Sequence, residues 1–413
     1  MNSYISQKIL NPALLKVNPD PALDVIVVIP AFYEDNLLLA LDSLVQANTL
    51  GINVEVLPVL NYPENKGAQF QDFHEQQRAQ LLLYSEKNNR SGFTIHCLPI
   101  QLLPAKHAGV GLARKTGMDE AVRRFHHIRK PKGIILNFDA DCICHENYFQ
   151  SIFNYYQMPA AKPAVSIGFA HPLVNIPEKQ RQAIIDYELH LRYYINAQKY
   201  FNYPFAIQTL GSCFGVTAES YCAQGGMNKR QAGEDFYFLH KFSVLDQLGE
   251  INEALVYPSS RKSDRVPFGT GKAIGQYLDQ NFQLSYSLEA IHLFMIFFHQ
   301  LHEFYTLNST VAVDKLKEIS PILAESLMDQ GFLQELDLIQ KNTSGEKAFV
   351  KRFNRWANPF RLMKFLHEVR DKGFPDEEVG IGAAKLMRKI KPEELHEDKL
   401  SLLEGYRKLD GIF

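Results

Sequence analysis

The sequence predicts an α/β protein, a mostly parallel sheet flanked by helices and followed by a C-terminal helical annex. From about residue 24 to 245, short β-branched or apolar runs alternate with longer segments of helical period, as strands and helices do when taken in turn. Beyond about residue 285 the strand-like runs vanish, and amphipathic segments follow one another, separated by "EISP", "NTSGEK", "NPF" and "GFPDEE". The 413 residues exceed one domain at the usual roughly 100–200 residues each, so two regions are expected, 1–275 and 276–413.

"DVIVVIPAF" (24–32) is the first strand, ended by Pro30, and "EDNLLLALDSLVQAN" (34–48) is a helix with Leu37, Leu41, Leu44 and Val45 on one face. "VEVLPVL" (54–60) is a second strand, and "YPENKG" is a turn-rich loop. A helix is expected around 72–86, a strand over "FTIHCLPI" (93–100), and a helix from about 109 to 127 with Met118, Ala121, Val122 and Phe125 at spacings of three and four. "GIILNF" is the next strand, "AVSIGFA" (164–170) another, and 178–200 a long amphipathic helix. "QTLGSCFGVTAES" (208–220) reads as a strand entering a helix, and 223–245 as a glycine-rich loop running into a helix.

A net charge of −2 gives no basic surface for nucleic acid, and five scattered cysteines are not a disulfide framework, so a reducing, cytoplasmic setting is expected. The first residues lack the basic and apolar segments of a signal peptide. "LEAIHLFMIFFHQLHEFYTL" (288–307) is interrupted by His292, His299 and His302, well short of the ~20 apolar residues of a bilayer span.

The stretch "GIILNFDADCICHENYF" sets Asp139 and Asp141 one residue apart behind an apolar strand. Residues i and i+2 of an extended segment share a face about 6.5–7 Å apart, so both carboxylates reach one volume beyond the strand's end, where open parallel sheets bind ligands. Their repulsion is relieved by a hard cation, Mg²⁺ or Mn²⁺, usually shared with substrate phosphates. A turn with two aspartates is equally an ordinary loop. Cys142, Cys144 and His145 lack the second ligand pair of a structural zinc site.

Glu234 and Asp235 begin a helix behind Gly225, Gly226 and Gly233. Acids suit a first helical turn for the macrodipole alone, while the glycines allow close approach of backbone and ligand. "SSRKSDRVPFGTGKA" (259–273) carries Arg261, Lys262, Arg265 and Lys272 among glycines, a composition suited to a lid closing on phosphate oxygens and equally to a solvated loop. Lys106 and His107 precede the 109–127 helix, whose N-terminus suits a diphosphate.

"VIVVIPAFYEDNLLLALDSL", "KHAGVGLARKTGMDEA", "LNFDADC", "GSCFGVTAESYCAQGGM" and "GEDFYFLHKF" follow the order and rough spacing of a family 2 glycosyltransferase, and over about residues 24–245 the chain resembles that family. The resemblance implies the GT-A (Rossmann-like) fold, a nucleotide-sugar donor, a divalent cation and transfer of a sugar to an acceptor hydroxyl, with inversion. It implies that Pro30, Ala31 and Glu34, with Asp35, lie along the nucleotide and that Gly109 and Arg114 belong to the donor site. Asp139 then lies near the ribose and sugar, Asp141 binds the metal, and Asp235, with Glu234 beside it, takes the acceptor's proton.

Departures accompany the likeness. Where the family's second strand often ends in an aspartate that reads the base, this chain offers Asn61 and Glu64. Lys115 stands where asparagine is usual, the stretch "YPSSRKSDRVPFGTGKA" has no histidine to serve as a third metal ligand, and a QxxRW motif is missing, Trp356 lying in the annex. Two alternatives stand beside transfer: a nucleotidyltransferase, whose glycine-rich first loop "PAFYEDN" lacks, and a non-catalytic scaffold whose annex binds a partner or forms a homo-oligomer. The acceptor is an unidentified hydroxyl compound, in solution or at a membrane surface.

Overall fold

The computed structural model describes residues 1–9, 11–263, 269–394, 396 and 398–412. The chain forms two compact units, one of 1–175, 209–272 and 410–413, the other of 176–208 and 273–409. The stretch 176–208 joins the later part of the chain in the second unit. Helix α6 (Glu178–Tyr200), which lies between two strands in sequence, packs on the helices Val379–Ile390 and Lys399–Leu409 and belongs with them.

The first unit holds helix α1 (Asn2–Lys8), strand β1 (Val25–Ala31), α2 (Leu37–Gln46), β2 (Val54–Pro63), α3 (Ala68–Asn88), β3 (Phe93–Ile95), β4 (Gln101–Leu103) and α4 (Val110–His127). It continues with β5 (Ile134–Asn137), β6 (Ile143–Cys144), α5 (Tyr148–Gln157) and β7 (Ala164–Phe169), then, after α6, with β8 (Phe214–Thr217), α7 (Ala218–Ala223), α8 (Glu234–Ser243) and β9 (Leu248–Tyr257). The strands lie in the order β3-β2-β1-β5-β8-β7-β9-β6, with β4 beside β2. Pairing is parallel through β3, β2, β1 and β5 and again between β7 and β9, and antiparallel where β8 and β6 join. This is the expected α/β class, a mainly parallel sheet with flanking helices.

Every residue of β1 and β5 is buried, so these strands read as continuous Val, Ile and Leu runs, as strands covered on both faces do. Helix α4 can lie close over them because Gly117 faces Val28 of β1 and Val59 of β2, where a β-carbon would stand 2.8 Å from Val59 Cγ2. Beneath α4, Asp119 accepts hydrogen bonds from Tyr4 Oη at 2.8 Å and Tyr221 Oη at 2.9 Å, and Lys115 Nζ lies 3.0 Å from its second oxygen. That buried network pins α1 and α7 to α4, and it gives Lys115 a packing role.

Some boundaries differ from expectation. The "YPENKG" loop is shorter, because β2 runs on to Pro63. The 93–100 segment is strand only over its first three residues, β3, and a second three-residue strand, β4, follows it at 101–103. Strand β9 follows α8 in a stretch where no strand was expected, since its exposed Glu250, Asn252 and Glu253 break the apolar run.

The second unit is built of α6 and further helices, with one small antiparallel pair, Leu284–Ser285 against Glu377–Glu378, as its strand content among the described residues. Phe297, Phe332, Phe353 and Trp356 form an aromatic core. Glu188 on α6 is fully buried and receives Arg407 Nε and Nη2, both at 2.7 Å, and Arg192 Nε at 2.8 Å. Among the described residues no helix is long and apolar enough to cross a membrane.

Candidate active site

Strand order locates a crevice. After β1 the chain builds β2 and β3 on one side of it, then returns to lay β5 on the other, so the direction of winding reverses between β1 and β5. In open α/β sheets ligands bind outside the carboxyl ends of strands at such a switch point. Two acidic segments emerge here, Glu34 after β1, and Asp139 and Asp141 after β5.

Arg114, one turn into α4, organises the first half of the site. Its side chain is 3 % exposed; Nη2 lies 2.5 Å from Asp139 Oδ1, and Nη1 forms an ion pair with Glu234 Oε1. The face of the guanidinium lies on Gly211, where any β-carbon would overlap it. Burial opposes the charge of Arg114, but Asp139, Glu234 and Asp235 outweigh it and hold the guanidinium more firmly protonated than usual.

Glu234 and Asp235 open α8 behind Gly233, whose φ of 70° is the left-handed conformation that favours glycine. Burial pushes both carboxyls upward, Arg114 pulls both down, and Asp139 adds to the upward push on each. Asp235 Oδ1 accepts from the Phe236 N–H at 2.7 Å.

Arg261 organises the second half. Its Nη2 and Nε approach Asp141 Oδ2 at 3.0 and 3.3 Å, and Nη2 also forms an ion pair with Glu34 Oε2. Glu34 is itself buried and accepts the Asn36 N–H at 3.0 Å. Burial raises the Asp141 carboxyl, as do the charges of Asp139 and Glu34, against the pull of Arg261. Around the two arginines stand, among the described residues, the carboxylates of Glu34, Asp139, Asp141, Glu234 and Asp235.

Other residues read from the sequence are placed differently. Pro30 and Ala31 are buried inside β1, and Ala31 O accepts the Asn61 side-chain amide at 3.1 Å. The same amide donates to Val59 O at 2.9 Å, so Asn61 ties the ends of two strands together. Gly109 caps α4 and lets the 228–231 loop approach, Gln231 Cα lying 2.7 Å from where a β-carbon would be. Glu64 accepts the Ala105 N–H at 3.2 Å. Arg265 lies outside the described residues.

The sequence reading missed the aromatic rim of the crevice. Phe32 stacks on Phe70 with centroids 5.8 Å apart and planes 2° from parallel, and Tyr33 meets Phe73 at 4.3 Å. Tyr33 has φ 48°, sparsely populated for a residue with a side chain, and its N–H is received by His74 Nε2 at 3.3 Å while His74 Nδ1 faces Phe70 O at 2.8 Å. Burial lowers the pKa of His74, in keeping with a neutral ring that donates at one nitrogen and accepts at the other. The adjacent aromatics in "AFYED" and the 70, 73, 74 spacing in α3 are the signal in the sequence.

Among the described residues no three His, Cys, Asp or Glu side chains converge as a metal cage, and all five cysteines are free thiols. Asp139 and Asp141, the carboxylates expected at the metal, pair here with Arg114 and Arg261, and burial first and the charge of Asp139 second raise the Asp141 carboxyl. Two carboxylates are the kind of donors that suit a hard cation completing its shell with phosphate oxygens and water.

Acids, arginines and aromatic rings gathered beyond the carboxyl ends of β1 and β5 are the class of site this fold defines. No family model and no curated protein sequence matches the chain. Among solved structures, it is similar to residues 1–349 of S. aureus TarS at a TM-score of 0.38 and 12% identity, covering 81% of this chain and 91% of that one. Against a longer TarS structure it spans 37% of that chain. Glucosyl-3-phosphoglycerate synthase from Mycobacterium tuberculosis, in complex with Mn²⁺, UDP and phosphoglyceric acid, gives 0.37 and 13% identity over 64% of this chain and 83% of that one. The mannosyltransferase PcManGT from Pyrobaculum calidifontis, with GDP-Man and Mn²⁺, gives 0.35 and 13% over 99% and 92%. At such values the likeness assigns neither activity nor site to this chain.

Proposed function

We propose that this chain is a glycosyltransferase of the GT-A type, moving a sugar from a nucleoside-diphosphate donor to an acceptor hydroxyl. The observation that carries the reading is the convergence, at the β1/β5 switch point, of Glu34, Asp139 and Asp141 with the Glu234–Asp235 pair around two arginines. Departure of a nucleoside diphosphate from a sugar develops negative charge on the leaving oxygen and positive charge on the ring. Acids and exchangeable cations in one crevice suit both.

The donor's base would lie on the rim formed by Phe32, Tyr33 and Phe70, since aromatic faces stack on any nucleobase. Asp139 and Asp141 would hold a divalent cation, which when bound offsets charge on the leaving diphosphate. Arg261 is placed to release Asp141 and Glu34 in favour of phosphate oxygens, guanidinium being well matched to them. Asp235 would accept the proton of the attacking hydroxyl, for which burial has already raised its basicity. Attack opposite the leaving group inverts the anomeric centre.

The test is a thermal-shift panel of UDP-, GDP- and dTDP-sugars with Mn²⁺ or Mg²⁺, followed by assay of donor turnover. Stabilisation by one nucleotide series that requires the metal, with release of its nucleoside diphosphate, is expected. No shift with any of them defeats the reading and favours a scaffold.

A further inference from the structure

Arg114 belongs to a segment whose resemblance implies contact with the donor, yet its surroundings are those of a different part. The guanidinium is 3 % exposed, one terminal nitrogen on Asp139 and the other on Glu234. One face is covered by the Gly211 backbone, which leaves no depth there for a substrate atom. The three groups it meets come from separate segments: the turn after β5, the start of α8, and the approach to β8. None of these is adjacent to α4 in sequence, so Arg114 is the point at which they are tied.

We infer that Arg114 is a positioning residue, a buried bridge that fixes the donor-side Asp139 at a set distance from the acceptor-side Glu234 and leaves Asp235 as the acid that acts on the acceptor. The inference rests on the transferase reading above. A planar fork binding two carboxylates in one plane sets their spacing and orientation, which a flexible ammonium does not do. Glu234, committed to the fork and 1 % exposed, is the counter-ion of the bridge. Asp235, on the next residue of the helix, receives Phe236 N–H and turns a different way around the helix axis. Misplacing either carboxylate spoils the geometry of transfer, while Asp141 and Arg261 stay in place for the cation and the diphosphate, so turnover suffers more than nucleotide affinity.

The test compares the full wild-type chain with Arg114→Lys, Arg114→Ala and Gly211→Ala, the last displacing the guanidinium from behind without deleting a charge. Each is measured for Mn²⁺-dependent affinity for UDP and GDP by calorimetry, for melting temperature, and for kcat and KM of sugar-nucleotide hydrolysis, with water as the acceptor. Arg114→Lys and Gly211→Ala should lose less than about tenfold in nucleotide affinity and donor KM while kcat falls on the order of 100-fold, a loss that a 1 Å misplacement can produce. Arg114→Lys should exceed Arg114→Ala in kcat by restoring the charge. A tenfold or greater loss of nucleotide affinity with kcat retained would return Arg114 to the donor site and overturn the inference. Unchanged kcat in the folded lysine and Gly211→Ala variants would overturn it too. A wild-type chain that turns over no sugar nucleotide removes the transferase reading and the inference with it, whereas the first two outcomes leave that reading standing.

Discussion

Removing the Arg261 guanidinium should make this chain bind Mn²⁺ more tightly in the absence of nucleotide. The arginine holds Asp141 at 3.0 and 3.3 Å and pairs with Glu34 as well, so an ion that takes Asp141 must first displace a resident cation. One pair of unit charges about 4 Å apart is worth ~1 kcal/mol in water and ~4 kcal/mol at an effective dielectric near 20. Arg261 is 33 % exposed and Asp141 25 %, which places the pair toward the lower figure, about 1–2 kcal/mol after screening. Since about 1.4 kcal/mol corresponds to a tenfold change, Arg261→Ala should lower the Kd for Mn²⁺ about tenfold, read by the electron paramagnetic resonance of free Mn²⁺ in titrations of the full chain. The assay belongs near pH 8. Burial, Asp139 and Glu34 already raise the Asp141 carboxyl, and removing Arg261 raises it further, so a proton would compete with the ion at lower pH. With UDP or GDP present the gain should shrink or reverse, because the same guanidinium then attracts phosphate. Equal or weaker Mn²⁺ affinity of Arg261→Ala without nucleotide would refute the competition.

Three other expectations follow from the same structure. Asp235→Asn should keep Mn²⁺-dependent nucleotide affinity and lose transfer; in the wild type, because burial first and Asp139 second raise this carboxyl against Arg114, the rate should climb with pH through a limb above the usual carboxylate value of about 4. Gly117→Ala should lower stability by about 1–3 kcal/mol in thermal or urea unfolding, since its methyl group meets Val28 and Val59 across the α4–sheet contact. In the second unit, Arg407→Ala should cost about 3–5 kcal/mol, the scale for breaking a buried ion pair, with Glu188 left to Arg192.

How far the sequence could be read depended on the range of the interactions involved. Strand β1, helix α4 and helix α6 follow from local composition and period, and α6 spans the expected 178–200. Strand β9 could not be found this way, because Glu250, Asn252 and Glu253 face outward and its pairing with β7 is what makes it a strand. Likewise the acids after β1 and β5 stand near one another because strand order brings those ends together, and each was visible as a motif. What local pattern does not carry is partner choice at long range. That Arg114 meets Glu234, 120 residues on, and rests on Gly211 is a property of the packed chain. The assignment of α6 to the second unit has the same origin: its buried Asp186, Glu188 and Arg192 look anomalous in an amphipathic helix until Lys399 and Arg407 supply their partners.

The buried hydroxyl network beneath α4 gives the N-terminal residues an influence out of proportion to their distance along the chain. Tyr4 donates to Asp119 and receives Lys115, and Arg114 is the residue immediately before that lysine. A helix is stiff over so short a span, so one turn of α4 faces the N-terminal segment on one side and the acids of the candidate site on the other. Trimming residues 1–8 would strip Asp119 of one of its two tyrosine donors and loosen the footing of the arginine above, so an inactive truncated chain would report a shaken lever and not a missing catalyst.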